Sequence, residues 1–535
     1  MEYTPYDYQE RMIEWLNRHP QAALFCSPGL GKTGVTLAAY AEKSLAGSKG
    51  MLVVAPIRVC SITWPKEVKK WDFCKHWVVA NLRTPEGIKH WHKGTADIYL
   101  INSEMLPTRE VRTDCKECRD GKRWTLWASG KKITEVLATG RIDALQQLRA
   151  KKVIGEDWYE EDGKVLRDHP REHCIECNGD GKITQKHHGF VAKYLKGKKA
   201  SELPVDVLLI DELSLAKSHT SKRFNALRMY RDKFKAIWGL TGTPAPNSYV
   251  DLFAQIRILD DGKRLGVSPG EYKRIYFDKR GPDQFAKFEL KPQSKAQIEQ
   301  RLSDLCLVML SDDYLDIPTT NYIDHEIALP AKARKEYDTL KKELLLQIES
   351  GEIEALNAAA LIGKLLQITG GAVYDADRTV HVIHDAKIKA LKDLVKRHKN
   401  EPLMVLTQYI HERDRILAAF PDAVAFHEKE LPRWQRGEIK MLVANPAMLS
   451  HGIDGLQDGG RIAIWFTLSY SNESFLQTNA RLIRTGQSFE TVIYRIIALN
   501  SVDEAVAEAL REKDGRQQGL FAALKSLQMM EKARK

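Results

Sequence analysis

A glycine-rich stretch near the start of the chain constrains its fold more than any other feature. Residues 24–33 read Leu-Phe-Cys-Ser-Pro-Gly-Leu-Gly-Lys-Thr, and a run rich in Ala and Leu follows. An apolar strand, a small loop and then a helix would point backbone N–H groups into a concavity at the positive end of the helix, which suits a polyphosphate. Gly29 and Gly31 would shape this loop. Lys32 would reach the β- and γ-phosphates of a nucleotide, and Thr33 would bind Mg²⁺.

Two residues around the loop have alternative interpretations. The strict phosphate-loop pattern has glycine where Ser27 stands, so the alternative for the whole stretch is a glycine-rich turn before an ordinary helix. Gln9 precedes the loop, and its amide could pair with both the amino group and a ring nitrogen of adenine. The alternative for Gln9 is an ordinary surface glutamine.

Charge and composition narrow the class of partner. The 535 residues carry 82 Lys and Arg against 71 Asp and Glu, a net charge of +11. Such an excess favours a polyanion, nucleic acid before membrane, with a merely soluble basic surface as the alternative. The sequence has no apolar run long enough to span a bilayer, and its first residues lack a signal pattern. We therefore expect a cytoplasmic protein with no membrane partner.

Apolar, β-branched runs alternate with helical patterns in the first 106 residues and again after residue 203. This alternation predicts parallel βαβ units, in which ligands gather at the carboxyl ends of the strands. A strand at 51–55 is followed by Pro56, and another at 98–101 is followed by Asn102 and Ser103. These residues are therefore candidates for binding.

Two further strand ends carry residues that suit nucleotide chemistry. The apolar run that ends at Ile210 delivers Asp211 and Glu212. Asp211 could hold Mg²⁺ through water and Glu212 could polarise an attacking water, whereas a lone Asp-Glu pair is otherwise a solvated turn. The next strand ends in Thr241, Gly242 and Thr243, a turn that could sense the γ-phosphate and pass the change to a neighbouring domain.

The alternation breaks down between residues 107 and 203, where two Cys-x-x-Cys pairs precede glycine-containing turns. The pairs are Cys115 with Cys118 and Cys174 with Cys177. Two such knuckles complete a tetrahedral four-thiolate site, so we predict structural Zn²⁺. A redox pair and unrelated cysteines are the alternatives. A zinc module here would be the place to seek selectivity for a DNA structure or a protein partner.

The last third of the chain has a second αβ series with polar residues after its strands. Gln408, Asn445 and Ser450 stand at such positions. Further on, residues 477–487 read Gln-Thr-Asn-Ala-Arg-Leu-Ile-Arg-Thr-Gly-Gln. Arg481 and Arg484 are three residues apart, so on a helix they would share one face and could both enter an interdomain cleft as arginine fingers. A basic surface stripe and binding of DNA phosphate are the alternatives.

Together these motifs resemble a known family. Gln9, the phosphate loop, Asp211-Glu212 and residues 241–244 are similar to the first motor domain of superfamily-two helicases and translocases. Residues 477–487 resemble the last motif of Swi/Snf-type double-stranded DNA translocases. The acidic motif departs from the family, because Ser214 stands where a histidine is usual.

The resemblance implies the roles of several residues. It implies that ATP binds with Mg²⁺ between two motor domains, with Gln477 contributing to the nucleotide site. It also implies DNA contacts from residues at or just after strand ends in both domains, which are Pro56, Asn102, Ser103, Gln408, Asn445 and Ser450.

The predicted fold class is α/β, with two RecA-like parallel sheets. Residues 1–106 and 204–250 would form the first, 107–203 the zinc-knuckle insertion, 251–384 a helical and basic linking region with a long helix at 331–368, and 385–535 the second. We expect an ATP-driven translocase on DNA, duplex favoured and single strands possible, of prokaryotic or viral origin. A strand-separating helicase and a non-hydrolysing DNA-binding scaffold are the alternatives.

Overall fold

The computed structural model describes most of the chain and divides it into two compact units. The first unit is 1–104 with 197–535, and the second is 105–196. The described residues are 1–114, 122–128, 131–138, 146–148, 151, 164–169, 182–245, 247–281, 287–349, 355–375, 377–449, 453–484 and 489–513.

The described strands are numbered here in chain order. They are β1 (Gln21–Cys26), β2 (Met51–Ala55), β3 (Val79–Asn81), β4 (Ile98–Asn102), β5 (Arg109–Asp114), β6 (Lys122–Ala128), β7 (Lys131–Ala138), β8 (Lys164–His169), β9 (Lys182–His187), β10 (Val207–Asp211), β11 (Ala236–Thr241), β12 (Phe277–Arg280), β13 (Lys287–Leu290), β14 (Cys306–Met309), β15 (Thr320–Ile327), β16 (Ala372–Tyr374), β17 (Val380–Val382), β18 (Leu403–Leu406), β19 (Ala423–Ala425), β20 (Met441–Ala444), β21 (Ile462–Trp465) and β22 (Thr491–Ala498).

The α-helices of the described residues are numbered in the same way. They are α1 (Asp7–Arg18), α2 (Lys32–Leu45), α3 (Trp64–Lys70), α4 (Pro85–Lys93), α5 (Lys222–Tyr230), α6 (Leu252–Asp260), α7 (Pro269–Tyr276), α8 (Ser294–Leu302), α9 (Ala331–Glu349), α10 (Ala355–Gly370), α11 (Ala386–Arg397), α12 (Ile410–Ala419), α13 (Leu431–Gln435), α14 (Pro446–Leu449) and α15 (Asn472–Asn479). Residues 502–513 are also helical.

The first sheet of the larger unit is parallel throughout its described strands, in the order β14-β1-β11-β10-β2-β4-β3. Its central strands are fully buried because helices cover both faces, which explains their continuous apolar sequences. Met12 of α1 and Leu24, Val53 and Trp238 of the sheet belong to one core. This core holds the loop between β1 and α2 against the sheet.

The second sheet is also parallel, with its described strands in the order β15-β22-β21-β18-β20-β19. Successive residues of β18 enter different cores: Met404 packs with Trp465 and Phe475, whereas Val405 packs with Ile464. Both faces of the sheet are therefore covered, as the side-chain alternation of a buried strand requires. The predicted α/β fold with two parallel, RecA-like sheets is confirmed.

The stretch 251–384, predicted as a linking region, contributes to both sheets. β14 pairs with β1 at the edge of the first sheet, and β15 pairs with β22 at the edge of the second. The long helix predicted at 331–368 is described as two helices, α9 and α10, which pack on each other through Tyr337 and Leu365.

The second unit is built of antiparallel strands. β5 pairs with β9, and β6 lies between β7 and β8. Asp114, at the end of β5, is the partner of Lys182, at the start of β9. The ends of the unit also meet, since Val191 N donates a hydrogen bond to Leu106 O at 3.3 Å.

Among the described helices, none combines the length and the apolar character needed to cross a bilayer.

Candidate active site

The loop between β1 and α2 has the backbone geometry that its glycines permit. Gly29 and Gly31 adopt φ values of 90° and 76°, which side chains other than glycine rarely tolerate. Gly31 caps α2, and Thr33 is the second residue of that helix. The helix therefore begins at the loop, with its first N–H groups directed towards it.

Gln9 packs directly against this loop. A Cβ atom added to Gly31 would lie 2.5 Å from Gln9 Nε2, so the amide of Gln9 would have to move. Gln9 Nε2 donates to Leu30 O at 3.2 Å, and Gln9 Oε1 accepts from Tyr6 N at 3.1 Å. The side chain of Gln9 is buried. The loop and the start of α1 are thereby fixed to each other.

Lys32 lies over the inner side of the loop. Its Nζ donates to Cys26 O at 2.9 Å and to Ser27 O at 3.1 Å. Burial lowers the pKa of Lys32, while the nearby charges of Asp211 and Glu212 act in the opposite direction. The ammonium group therefore lies within electrostatic range of both carboxylates of the acidic motif.

Asp211 ends β10 and is held by a tryptophan. Trp64 Nε1, in the fully buried first residue of α3, donates to Asp211 Oδ2 at 2.9 Å. Burial raises the pKa of Asp211, whereas this hydrogen bond and Lys32 lower it. The bond fixes one carboxylate oxygen and orients the other.

Glu212 occupies a strained position. It accepts hydrogen bonds from residues beside the first sheet and from α15, which packs on the second sheet. Its φ of 76° is uncommon for a residue with a side chain. Its Oε1 lies 2.7 Å from Thr241 Oγ1 and 2.9 Å from Ser214 Oγ, and its Oε2 accepts from Gln477 Nε2 at 3.1 Å. Burial, with the charge of Glu473 next, raises the pKa of Glu212 to about 7. A carboxylate with this pKa suits general base chemistry.

The turn after β11 lies against the loop. Thr243 N donates to Thr241 Oγ1 at 3.0 Å. A Cβ atom added to Gly242 would lie 3.3 Å from Cys26 O and 3.4 Å from the Cδ of Pro28. Thr241, Gly242 and Thr243 are therefore brought to both the phosphate-loop candidate and Glu212.

Two residues that the sequence analysis did not assign join the two sheets at this point. Glu473 Oε1 accepts from Ser214 Oγ at 2.6 Å, and Glu473 Oε2 pairs with Lys217 Nζ at 2.7 Å. Glu473 is four residues before Gln477 on α15, so both face the same side of the helix. The four-residue spacing could have indicated from the sequence that Glu473 acts beside Gln477. It could not have shown that Ser214 and Lys217 are the residues that Glu473 contacts.

Arg481 and Arg484 were predicted to lie on a helix, but they lie in the turn that follows α15. The helix ends at Asn479, and Leu482 N and Ile483 N both bond back to its carbonyl oxygen. The carbonyl oxygen of Asn479 accepts both hydrogen bonds, and the regular helix ends at this residue. The Nη1 atoms of Arg481 and Arg484 lie 3.6 and 2.5 Å from Asp454 Oδ1.

The two arginines differ in their surroundings. Burial, with Arg484 next, lowers the pKa of Arg481 to about 10, and the charge of Glu212 partly offsets this. Arg481 in turn lowers the pKa of Lys32. Arg481 therefore lies within electrostatic range of the loop and the acidic motif. Arg484 also donates to the Ala480 carbonyl at 3.1 Å.

The residues predicted to contact DNA from the first sheet lie at the carboxyl ends of adjacent strands. Pro56 follows β2 and is half-buried, Asn102 ends β4, and Ser103 comes next. Asn102 and Ser103 are buried. They can position the backbone of this edge more readily than they can present a side chain to a phosphate.

The corresponding residues of the second sheet also lie together. Asn445 Nδ2 donates to the carbonyl oxygens of Thr407 and Gln408 at 3.0 and 3.2 Å. Ser450 lies outside the described residues. Arg58, two residues after Pro56, donates to Met448 O at 2.8 Å. The chain just after Pro56 therefore contacts the chain just after Asn445.

The predicted zinc ligands, Cys115, Cys118, Cys174 and Cys177, lie outside the described residues. Among the residues that are described, His, Cys, Asp and Glu side chains form no cluster of metal-ligand type. Cys26, Cys60, Cys74 and Cys306 are buried.

Comparison with known proteins gives a family. No protein-family profile matches the chain. It is 30% identical over 542 residues to protein p41 of Acyrthosiphon pisum secondary endosymbiont phage 1, across 98% of this chain and 99% of that protein. The chain belongs to the family of this phage protein. The similarity to p41 covers nearly the whole chain and therefore includes both sheets and the insertion.

Two other proteins are similar to a lesser degree. The chain is 24% identical over 330 residues to the uncharacterized ATP-dependent helicase MG018 of Mycoplasma genitalium, across 59% of this chain and 31% of that protein. Among solved structures, the SWI2/SNF2 ATPase core of Sulfolobus solfataricus in complex with dsDNA superposes with a TM-score of 0.39 and 16% identity, over 98% of this chain and 95% of that one.

Proposed function

We propose that this protein is a DNA-dependent ATPase whose two sheets couple ATP hydrolysis to movement along DNA, duplex DNA in particular. The observation that carries the proposal is the carboxylate of Glu212. It accepts hydrogen bonds from Thr241 and Ser214 of the first sheet region and from Gln477 of the second. An acid held from both sides is sensitive to whether the cleft is open or closed.

The loop between β1 and α2 fits the phosphates of ATP. Gly29 and Gly31 leave the inner side of the loop free of Cβ atoms, and the helix start directs N–H groups and positive potential towards it. Lys32 would exchange its bonds to two loop carbonyls for phosphate oxygens. Thr33 and Asp211 would hold Mg²⁺, which supplies charge neutralisation at the phosphates. Gln9, buried beside the loop, would contact the base.

Glu212 and Arg481 are placed to act on the bond that breaks. Glu212 would take the proton of the attacking water while the water oxygen bonds to the γ-phosphorus and ADP leaves. Arg481, within electrostatic range of Lys32 and Glu212, would neutralise the charge that develops on the transferred group.

DNA would bind along the carboxyl ends of β2, β4, β18 and β20. The net charge of +11 favours a polyanion, and the similarity to a helicase of Mycoplasma genitalium supports a nucleic acid. Arg58 pairs with Glu428 across the cleft at this edge. A DNA phosphate that takes the place of Glu428 would alter the closure of the cleft.

The insertion would hold structural Zn²⁺ through its four cysteines. Asp114, which directly precedes Cys115, is the Cα partner of Lys182, which follows Cys177 by five residues. Metal analysis of the purified protein, with Cys174→Ser as the comparison, tests this assignment: about one zinc per chain is expected, and loss of it in the variant. The phage relative p41 supports action in the cytoplasm of a prokaryotic host.

Steady-state ATP hydrolysis tests the proposed function. The wild type, Glu212→Gln and the control Glu438→Gln would each be assayed without nucleic acid and with single-stranded DNA, duplex DNA or RNA. Glu438 is exposed and pairs with Arg436, its near neighbour in the sequence. We expect stimulation mainly by duplex DNA, and a loss of about 100-fold or more in Glu212→Gln but not in the control.

The same assay separates the alternatives. Absence of hydrolysis by the wild type under every condition, with DNA still bound, would favour a scaffold over a motor. Displacement of a fluorescently labelled strand from a DNA duplex would show a strand-separating helicase, whereas displacement of a triplex-forming third strand without duplex opening would show a translocase.

A further inference from the structure

The hydroxyl of Ser214 lies between two carboxylates. Glu212 follows a strand of the first sheet, and Glu473 lies on α15, beside the second sheet. Ser214 Oγ is 2.9 Å from Glu212 Oε1 and 2.6 Å from Glu473 Oε1, and Ser214 is almost wholly buried. A serine hydroxyl carries one hydrogen, so it donates to one of these oxygens at a time. The shorter distance favours donation to Glu473.

Lys217 fixes the carboxylate of Glu473 for this role. Its Nζ lies 2.7 Å from Glu473 Oε2, which leaves Oε1 directed at Ser214. The ion pair also offsets the negative charge that Glu473 brings towards Glu212. Lys217 and Glu473 are about one-third and one-sixth exposed (32% and 17%), so their interaction is only partly screened by water.

Glu473 belongs to α15, which packs on the second sheet. It lies in the first turn of α15, where Ser471 Oγ accepts from Ser474 N at 3.2 Å and caps the helix. Gln477, one turn later, donates to Glu212 Oε2. One face of α15 therefore meets both oxygens of Glu212, one directly and one through Ser214.

We propose that Glu473 is a positioning residue for ATP hydrolysis. When the cleft closes, Glu473 accepts the hydrogen bond that Ser214 donates. Glu212 Oε1 is then able to accept a hydrogen bond from the attacking water. With the cleft open, Ser214 donates to Glu212 instead and occupies that acceptor position. The inference rests on the proposed function. It gives Ser214, which replaces the histidine usual in the resembled family, a specific partner across the cleft.

A second-site rescue tests the inference. In Glu473→Ala, the hydrogen of Ser214 returns to Glu212, and kcat with saturating duplex DNA should fall about tenfold, which corresponds to one charge-assisted hydrogen bond, with little change in KM for ATP. Adding Ser214→Ala removes the competing donor, so the double variant should recover most of the lost kcat. Simple loss of a packing contact predicts that the double variant is as slow as Glu473→Ala or slower.

Lys217→Met provides a second route to the same test. It frees the carboxylate of Glu473 to turn away, and it should give a smaller loss of kcat that Ser214→Ala also relieves. Glu438→Gln is the control for a changed charge in the second domain. Affinity for a fluorescent ATP analogue and thermal unfolding would verify that each variant is folded and binds nucleotide.

Two results would overturn the inference while leaving the proposed function intact: an unchanged kcat in Glu473→Ala, or a double variant no faster than Glu473→Ala. A wild type that does not hydrolyse ATP would overturn both.

Discussion

At the scale of single residues, the two carboxylates of the acidic motif are held by side-chain donors from other parts of the chain. Asp211 accepts from Trp64, and Glu212 from Thr241, Ser214 and Gln477. Each donor limits how its carboxylate can turn. Because these side chains are buried or half-buried, a lost donor leaves a charged oxygen with little water to replace it.

Replacing Trp64 tests one such donor. Trp64→Phe keeps the ring but removes the bond to Asp211, which raises the pKa of that carboxyl further and lets it rotate. We expect the Mg²⁺ concentration for half-maximal hydrolysis to rise about tenfold. Trp434→Phe is the matched control, because Trp434 is equally buried and donates to Leu456 O at 2.7 Å. A rise of the same size in the control would contradict the prediction.

His411 predicts a pH dependence of stability. It is buried, and neither ring nitrogen has a hydrogen-bond partner in the described structure. Burial, with Arg415 next, lowers its pKa from 6.5 to about 4. Between these values the unfolded chain binds more protons than the folded one, so stability falls as the pH drops below 6.5.

The contribution of His411 is measurable by urea unfolding. From pH 7.5 to pH 5 the free energy of unfolding should fall by about 2 kcal/mol on its account. His411→Phe, which keeps a ring against Tyr409 and Tyr374, should remove that part of the pH dependence. An equal pH dependence in the variant would show that other groups cause it.

At the scale of elements, α15 and the turn after it carry the second sheet's contribution to the cleft. The helix presents Glu473 and Gln477, and the turn presents Arg481 and Arg484. Asp454 binds both arginines. The different positions of the arginines predict different roles.

Arg481→Ala should be far more damaging than Arg484→Ala. Arg481 is within electrostatic range of Lys32 and Glu212, and loss of an arginine finger costs about 1,000-fold or more in kcat. Arg484 bonds to Asp454 and to the Ala480 carbonyl, so its loss should cost about tenfold through disorder of the turn. Single-turnover hydrolysis of the two variants would decide this, and equal losses would contradict it.

At the scale of the whole molecule, the chain is a two-sheet unit with a second unit inserted into its first half. The two ends of the insertion lie next to each other, because Arg109 of β5 is the Cα partner of His187 of β9. Nothing between these two residues contributes a strand to the seven-stranded sheet of the described chain. The candidate site and the insertion are therefore built from separate parts of the chain.

Replacing residues 110–186 with Asn-Gly tests that separation. A two-residue turn can join Arg109 to His187, because such turns connect directly paired antiparallel residues. ATP hydrolysis without DNA should change by less than about twofold, since the units are compact on their own. Preference among DNA structures, measured by binding to duplex, forked and single-stranded probes, should change. A loss of basal hydrolysis would show that the insertion supports the site.

The sequence alone determined the local parts of this protein. Apolar runs predicted the parallel strands, glycines predicted the loop before α2, and the acidic pair was placed at the end of β10, because each depends on residues close in the chain. The helix predicted over Arg481 and Arg484 was wrong, since the turn there depends on bonds to a single carbonyl and on Asp454.

The tertiary structure alone decided which groups meet. Glu212 is 265 residues from Gln477, Ser214 is 259 residues from Glu473, and Trp64 is 147 residues from Asp211. Such contacts follow from the order of strands in each sheet and from the face that α15 turns to the cleft. Neither is encoded in a local pattern, because both result from the packing of whole elements around two separate cores.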